Sequence, residues 1–328
     1  MYKFIEKNTL NVYEGKFSKL LFFIENYYFI LIGLYFLNKS LHIAYYSPIN
    51  STNDIYMFAL TLICFSAYSD IRKDVRLIPF LILCVLFFMI IFYINKHGYN
   101  FWGKMLRWQI NRHIVINLNP IFANIPFNDG NFARIYKSET LTWFFRMVYN
   151  NGFVLPVLFA LYRSAIIKDL KKMVRYALSA HILQIFLITP FYLTFHLQEV
   201  WYVLKQPDGL ARHLNPNAAA GITLNCFPSM HTSISFAMFL LALREKNKLF
   251  KFIFGFFCLS IIYSTLYLEI HWILDVIAGM ILGYITVKIV DFILDKVKIL
   301  FKKPMDMFYY KNNQTTYEIN NFYLDTMN

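Results

Sequence analysis

Two residues near the end of the chain are spaced so that a helix would bring their side chains together. His271 and Asp275 lie four positions apart, and a helix places such residues on one face. The Asp275 carboxylate would then hold one imidazole nitrogen and leave the other free to attack an electrophile. A buried polar pair that only fixes helix packing would show the same spacing, so both interpretations stay open.

A second polar group begins an apolar run. Pro228 and Ser229 stand just before His231 and Thr232, an order typical of a helix start with proline in its first turn. Backbone N–H groups at such an end attract anions, and His231 would be placed to protonate a leaving group. Taken alone, the pattern also fits an ordinary capped helix.

The loop before that run carries two cations. Lys205 and Arg212 flank a turn at 207–209 that contains proline and glycine. Both side chains could converge on one phosphate, the arginine through its planar fork and the lysine as a point charge. A solvated loop would look similar.

The rest of the chain must hold these groups in a membrane. Of its 328 residues, 58% are hydrophobic, 20% aromatic and 16% charged, whereas soluble domains are about 45–50% apolar and about 25% charged. This composition excludes soluble, disordered, collagen-like and disulfide-framework proteins. The four cysteines are widely spaced, without the pattern of a metal finger or a disulfide framework.

Eight apolar runs are candidates for membrane spans, since a crossing helix needs about 17–25 mainly apolar residues. They are 17–37, 55–69, 77–95, 147–162, 176–197, 226–243, 252–268 and 270–288. The short runs 55–69 and 147–162 are candidates for re-entrant or internally buried segments. We therefore predict an all-α fold, a polytopic helical bundle of about eight spans.

Basic residues indicate the orientation of the bundle. Most of the 32 lysines and arginines lie at the two ends of the chain and in the loops after the second, fourth and sixth runs. We expect these parts, with both termini, to be cytoplasmic, so the three polar groups share the extracytoplasmic or lumenal face. The net charge of +13 is then mainly a topology signal, and we expect no nucleic-acid partner.

The segment 96–146 is basic although this topology places it outside the cytoplasm. Aromatic residues at 101–108 alternate with Lys104 and Arg107, as in a helix that lies in the membrane interface. A solvated loop with an aromatic anchor is the alternative.

Together, the three polar groups resemble the signature of the type-2 phosphatidic acid phosphatase superfamily, KxxxxxxRP, PSGH and SRxxxxxHxxxD. Each group of this chain matches two or three of the conserved positions, in the same order and spacing. In chain order, the first group matches at Lys205 and Arg212, the second at Pro228, Ser229 and His231, and the third at Ser264, His271 and Asp275. Three positions depart from the signature, since His213 replaces proline, Met230 replaces glycine and Thr265 replaces arginine.

The resemblance implies a division of the chain into three parts. A six-helix catalytic core would cover 77–290 and include the segment 96–146. Two extra spans and a cytoplasmic loop would occupy 1–76, and a polar cytoplasmic tail would occupy 291–328.

The resemblance also implies a role for each matching residue. His271 would be the nucleophile that forms a phosphohistidine, Asp275 would orient it, and His231 would act first as acid and then as base. The phosphate would be held by Lys205, Arg212 and Ser229, and His213 would supply part of the charge lost at Thr265. No metal or other cofactor would be required, and the partners would be a lipid phosphate substrate and membrane lipids.

Thr265 and its context are similar to the inositol phosphorylceramide synthase-type branch of the superfamily. That likeness implies transfer to an alcohol, and several aromatic residues are available to roof the site and exclude water. They are Trp102, Trp108, Trp143, Trp201 and Tyr202. The alternatives are a lipid phosphate phosphatase, which releases phosphate to water, and a non-enzymatic lipid-phosphate binder or transporter with a proton relay.

Overall fold

The computed structural model describes residues 16–46, 52–112 and 116–300. These residues form α-helices with short 3-10 and π turns and one two-residue parallel bridge. The helices are α1 (Lys16–Tyr46), α2 (Thr52–Ser66), α3 (Leu77–Arg112), α4 (Asn119–Asn124), α5 (Glu139–Asn150), α6 (Leu155–Ile166), α7 (Leu170–Ala177), α8 (Leu183–Thr194), α9 (Val200–Val203), α10 (Pro216–Ile222), α11 (Met230–Ala242), α12 (Lys248–Tyr267) and α13 (Ile273–Leu300). The bridge joins β1 (Ile116–Asn117) to β2 (Phe195–His196).

Polar residues fix where several of these helices begin. The side-chain oxygen of each capping residue accepts a hydrogen bond from the backbone N–H three residues later in the chain. Such a cap stabilises a helix by about 1 kcal/mol. The capping residues are Ser138, Asp169, Asn215, Ser229 and Asn247.

Four described segments are long and apolar enough to cross a membrane. They are Leu77–Gly98, Leu170–Thr194, Lys248–Tyr267 and Ile273–Lys296, and the bent pair α5 and α6 makes a fifth if it is counted as one span. The chain is therefore an all-helical, multi-pass membrane protein, as its composition predicts. The count of eight spans is a finer statement than these helices establish.

The run 147–162 is not one straight helix. The helix α5 ends at Asn150, α6 begins at Leu155, and their axes differ by 65°. Residues 151–154 form the break, and Pro156 lies in the first turn of α6, where its missing N–H has no helical partner to lose. This is the geometry of a broken span or a re-entrant loop, which agrees with the interpretation based on the short length of the run.

A second interruption falls within the run 176–197. A π turn, Leu178–Ile182, separates α7 from α8, and Ala180 has non-helical torsions of φ −90° and ψ −111°. The Gln184 side chain crosses this interruption, donating from Nε2 to the carbonyls of Ser179 at 2.8 Å and Ser233 at 3.3 Å. Gln184 therefore ties the π turn to α11.

The helix α3 continues past its predicted span to Arg112. This part of the segment 96–146 is thus helical, and its location in the membrane interface stays a prediction. The side chains of Trp102 and Trp108 lie outside the described part of the structure.

Close packing of α13 on α11 brings the second and third polar groups together. A Cβ atom at Gly279 would lie 2.6 Å from the Ser229 carbonyl oxygen, and one at Gly283 would lie 2.5 Å from that of Ser233. The absence of side chains at these two glycines therefore lets the two helices approach closely.

The loops after the second, fourth and sixth apolar runs meet at the opposite end of the bundle. Arg163 is almost fully buried there, with Nη2 2.5 Å from Asp70 and Nη1 3.4 Å from Glu245. Glu245 also accepts from Lys172 at 2.6 Å and from the Tyr176 hydroxyl at 2.9 Å. Three basic loops are thus joined by one buried ion network.

Candidate active site

The predicted contact between His271 and Asp275 is present, but one helix does not carry both residues. His271 precedes α13, which begins at Ile273, and Asp275 lies in the first turn of α13. The Asp275 Oδ2 atom lies 3.2 Å from His271 Nδ1 and accepts from the Trp272 N–H at 3.1 Å. A carboxylate acceptor at Nδ1 keeps the proton on that nitrogen and leaves Nε2 with its lone pair.

His231 lies in the first turn of α11 and faces His271. The centroids of the two imidazole rings are 6.2 Å apart. Tyr149 stacks on His231 with centroids 4.2 Å apart, and the Phe153 centroid lies 3.6 Å away. Aromatic rings thus surround the histidine and leave it 8% exposed.

Ser229 joins the second polar group to the third. Its N–H donates to the Asp275 carbonyl at 3.2 Å, and its hydroxyl donates to Thr232 Oγ1 at 2.9 Å. The same hydroxyl caps α11 by accepting from the Thr232 N–H. Ser229 is therefore next to Asp275, although its polar atoms already have protein partners.

Arg212 is held by two carboxylates. Its Nε donates to Asp208 at 2.8 Å, its Nη1 donates to Glu199 at 3.1 Å, and its guanidinium lies over the Trp201 ring. Burial alone would lower the pKa of Arg212, but the hydrogen bonds that it donates to Glu199 and Asp208 raise the pKa overall. The spacing of charges along the chain gave no signal for Glu199, which lies 13 positions before its partner.

The other two candidate phosphate ligands are at the surface. Lys205 and His213 are exposed, with positive φ angles of 57° and 50°. Within the described residues neither side chain has a hydrogen bond or an ion pair. Their loop is nevertheless docked beside the third group, because a Cβ atom at Gly209 would overlap the Leu268 carbonyl.

Thr265 holds the main chain that leads to His271. Its carbonyl accepts from the N–H groups of Ile270 at 3.0 Å and His271 at 3.1 Å, while its hydroxyl donates back to Ile262. A basic side chain from another segment lies near Thr265. The Arg134 guanidinium is 3.2 Å from the Glu269 carboxylate and 3.5 Å from the Leu266 carbonyl. The spacing of residues along the chain gives no signal for Arg134, which lies 132 positions before Leu266.

The segment 116–134 roofs the third group. Pairing of β1 with β2 brings it to the loop after α8, and the Phe122 ring then lies 6.1 Å from that of Trp272. The Trp272 Nε1–H donates to the Gln198 carbonyl at 2.9 Å. Of the other predicted roof residues, Trp201 packs beside Tyr202 with ring centroids 5.8 Å apart, and Trp143 is half-buried.

Residues 154–296 match the PAP2 superfamily. All three polar groups lie within these matched residues. An uncharacterized protein of Methanocaldococcus jannaschii is 45% identical over 62 residues, which are 19% of this chain and 25% of that protein. The chain thus aligns with about a quarter of this relative, and no solved structure matches the chain.

Several contacts of the site come from outside the residues that match the PAP2 superfamily. Asn128, Arg134 and Tyr149 precede residue 154 and contact the third group or His231. In the part of the chain that the structure describes, no three His, Cys, Asp or Glu side chains gather as a metal site requires.

Proposed function

We propose that the protein is a membrane enzyme that takes a phosphoryl or phospho-head group from a lipid phosphate and forms a phosphohistidine at His271. The Asp275 contact at 3.2 Å carries this proposal, because it leaves Nε2 able to attack. The PAP2 domain supports a phosphatase or phosphotransferase type of activity on lipid phosphates.

Two histidines facing each other suit both steps of such a reaction. In the first step His271 Nε2 bonds to phosphorus, the bond to the leaving oxygen breaks, and His231 protonates that oxygen. In the second step His231 removes a proton from the acceptor hydroxyl, which attacks phosphorus and releases His271. The ring separation of 6.2 Å allows one phosphoryl group to contact both imidazoles.

The negative charge that develops on the phosphoryl oxygens in the transition state must be stabilised by hydrogen-bond donors that are already in position. We assign this role to Lys205, Arg212 and Ser229, with His213 replacing part of the charge lost at Thr265. Arg212 must then exchange at least one carboxylate for phosphate, since Glu199 and Asp208 hold it before substrate arrives.

For the acceptor we propose an alcohol, as in inositolphosphotransferase-like enzymes. The roof over residues 271–275 supports this choice, because Phe122 and Trp272 cover the site with apolar rings and such a cover restricts water. Water as acceptor gives the second candidate, a lipid phosphate phosphatase, and the chemistry up to the phosphohistidine is the same. Inorganic phosphate release that added inositol or another alcohol leaves unchanged would favour the phosphatase.

The decisive experiment uses the purified protein with phosphatidic acid labelled in its phosphate. Wild type should form an acid-labile phosphoenzyme, and His271→Ala should lose both this intermediate and turnover. His42→Ala, at an exposed histidine of α1, should behave as wild type. Turnover by His271→Ala at a near-normal rate would end the proposal.

One observation favours a transporter instead. Ser179, Gln184 and Ser233 lie at the π turn within the bundle, and each has a buried polar atom with no protein partner among the described residues. Broken helices with polar groups at this depth are typical of transporters. Substrate-driven proton flux in liposomes, retained in His271→Ala, would favour transport over catalysis.

The topology is part of the same proposal. We propose eight spans, a catalytic core over 77–290, cytoplasmic termini, and an active site on the extracytoplasmic or lumenal face. The ion network that joins Asp70, Arg163 and Glu245 supports one common side for three basic loops.

Labelling of single cysteines from either side of the membrane tests the topology. Gln206→Cys should react only from the extracytoplasmic side, and Lys246→Cys only from the cytoplasm. Background should be low, because the four native thiols are buried. Cytoplasmic labelling of Gln206→Cys would reverse the orientation.

A further inference from the structure

An apolar cavity of about 220 Å³ lies between α2, α5, α6 and α12. Ala59 and Ile63 line it from α2, Met147 and Val148 line it from α5, and Ile253 lines it from α12. Hydrocarbon side chains provide nearly all of the lining, so the cavity suits an apolar occupant.

The two polar residues in the lining are already hydrogen-bonded. The Tyr56 hydroxyl accepts from Asn151 Nδ2 at 2.6 Å, and Ser66 Oγ donates to the Ile63 carbonyl at 2.8 Å. Neither group is left to recognise a polar ligand, and their partners belong to the protein itself.

The bend between α5 and α6 opens this space. The two helices diverge by 65°, while the break between them is pressed against α12, where a Cβ atom at Gly152 would lie 2.7 Å from Ile261. Below that point of contact, α5 and α6 no longer fill the gap beside α2 and α12.

Two walls of the cavity lead directly to the candidate active site. On α5, Val148 lines the cavity and the next residue, Tyr149, stacks on His231. On α12, Phe257 lines the cavity and lies ten positions before Tyr267, the last residue of that helix. Ten positions correspond to a rise of about 15 Å along the helix. One leaflet of the hydrocarbon core is also about 15 Å deep, so a chain anchored near His271 would end at the cavity.

We propose that the cavity receives the distal part of an acyl chain of the lipid substrate whose phosphate lies at His271. This inference rests on the proposed function and adds the place where one chain of the lipid substrate binds. Part of that site is supplied by α2, which lies outside the residues that match the PAP2 superfamily.

The size of the cavity argues for a chain rather than a protein partner. A helix is about 10 Å wide with its side chains, and a stable protein interface buries more than about 1,000 Å². A cavity of about 220 Å³ is too small for either, whereas a single methylene chain fits.

The test fills the cavity with larger side chains and compares substrates whose acyl chains differ in length. Ala59→Phe and Ile253→Trp add volume at lining positions, and Leu259→Trp is the matched control on α12. Ile253 and Leu259 are 44% and 43% exposed, but only Ile253 lines the cavity. Each protein is assayed with phosphatidic acids carrying hexanoyl or oleoyl chains, and is photolabelled with a lipid phosphate that has a diazirine near the chain end.

Filling the cavity should lower kcat/KM for the oleoyl substrate several-fold, because the chain end loses its van der Waals contacts with the lining. The hexanoyl substrate should be turned over as in wild type, and Leu259→Trp should change neither rate. Photolabel should appear on peptides of α2 and α12 in wild type and decrease in Ile253→Trp.

Two negative results have different meanings. An unchanged chain-length preference, or label spread equally over lipid-facing helices, would overturn the acyl-chain site even if His271 forms its phosphoenzyme. Absence of turnover and phosphoenzyme in wild type would instead overturn the proposed function, while specific photolabel would still report a lipid chain in the cavity.

Discussion

Asn128 caps the helix that carries Asp275. Its side-chain oxygen accepts from the Leu274 N–H at 3.0 Å, and its carbonyl accepts from the Ile273 N–H at 2.8 Å. One residue of the roof, 146 positions earlier in the chain, thus satisfies two donors at the start of α13. Because the cap fixes where α13 begins, it also fixes the position of Asp275 relative to His271.

Replacing Asn128 by Ala should lower the free energy of unfolding by about 1–2 kcal/mol, the usual cost of a lost helix cap. Asn128→Asp keeps an acceptor at the helix N-terminus but loses the hydrogen bond that Nδ2 donates to the Phe122 carbonyl at 3.1 Å, so it should recover only part of this loss. Asn131→Ala, at an exposed asparagine nearby, is the control. Thermal unfolding in detergent measures the effect, and equal stability of Asn128→Ala and Asn131→Ala would contradict it.

Asp275→Asn should reduce kcat far more than it raises KM. The amide keeps the volume of the carboxylate but no longer holds the His271 proton on Nδ1, and a comparable change in a catalytic dyad costs about 10⁴ in rate. Single-turnover kinetics of phosphoenzyme formation will show this. Asp295→Asn, at an exposed position of the same helix, should leave kcat unchanged, and a pure KM effect in Asp275→Asn would argue for substrate binding only.

The Asp208–Arg212 contact should make stability depend on pH. Burial would raise the pKa of Asp208, but hydrogen bonds from Arg212 lower it overall. A lowered pKa gives stability that is present above the ordinary value of about 3.9 and is lost as pH falls through the folded value. Wild type should therefore unfold at a higher temperature than Asp208→Asn at pH 7, and the difference should vanish in acid. A constant difference down to pH 2 would disprove the linkage.

Glu245→Gln should destabilise the opposite end of the bundle. The change leaves Arg163 buried with one fewer acidic partner, and loss of one member of a buried ion pair costs about 3–5 kcal/mol. Since Asp70 remains 2.5 Å from Arg163, we expect the lower end of that range. Chemical unfolding should show the loss, whereas the exposed Glu139→Gln should stay within about 0.5 kcal/mol of wild type.

Local spacing was enough to predict parts of the site. Gly279 and Gly283 are one helical turn apart, so their shared face and close packing on α11 follow from the sequence. The contact of His271 with Asp275 was also predicted, although α13 begins only at Ile273, because Asp275 binds the residues just before the helix. Helix boundaries of this kind depend on capping by Asn128, which lies in another segment.

Contacts between distant segments could not be read from the sequence. Glu199 neutralises Arg212 because the loops fold against one another, and nothing in the spacing of either residue indicates this. The π turn at 178–182 likewise interrupts a run that is apolar enough for one straight helix. Such features depend on which side chains meet after the helices pack.

Backbone groups make the pairing of β1 with β2, so this junction places few demands on the side chains of the roof. The roof residues can therefore vary in evolution, while the β1–β2 pairing and the Asn128 cap keep the segment 116–134 in place over the two histidines. The reaction and the choice of acceptor would then be encoded in separable parts of the chain. Grafting 116–134 from a relative, with Asn128 retained, offers a direct route to a changed acceptor range.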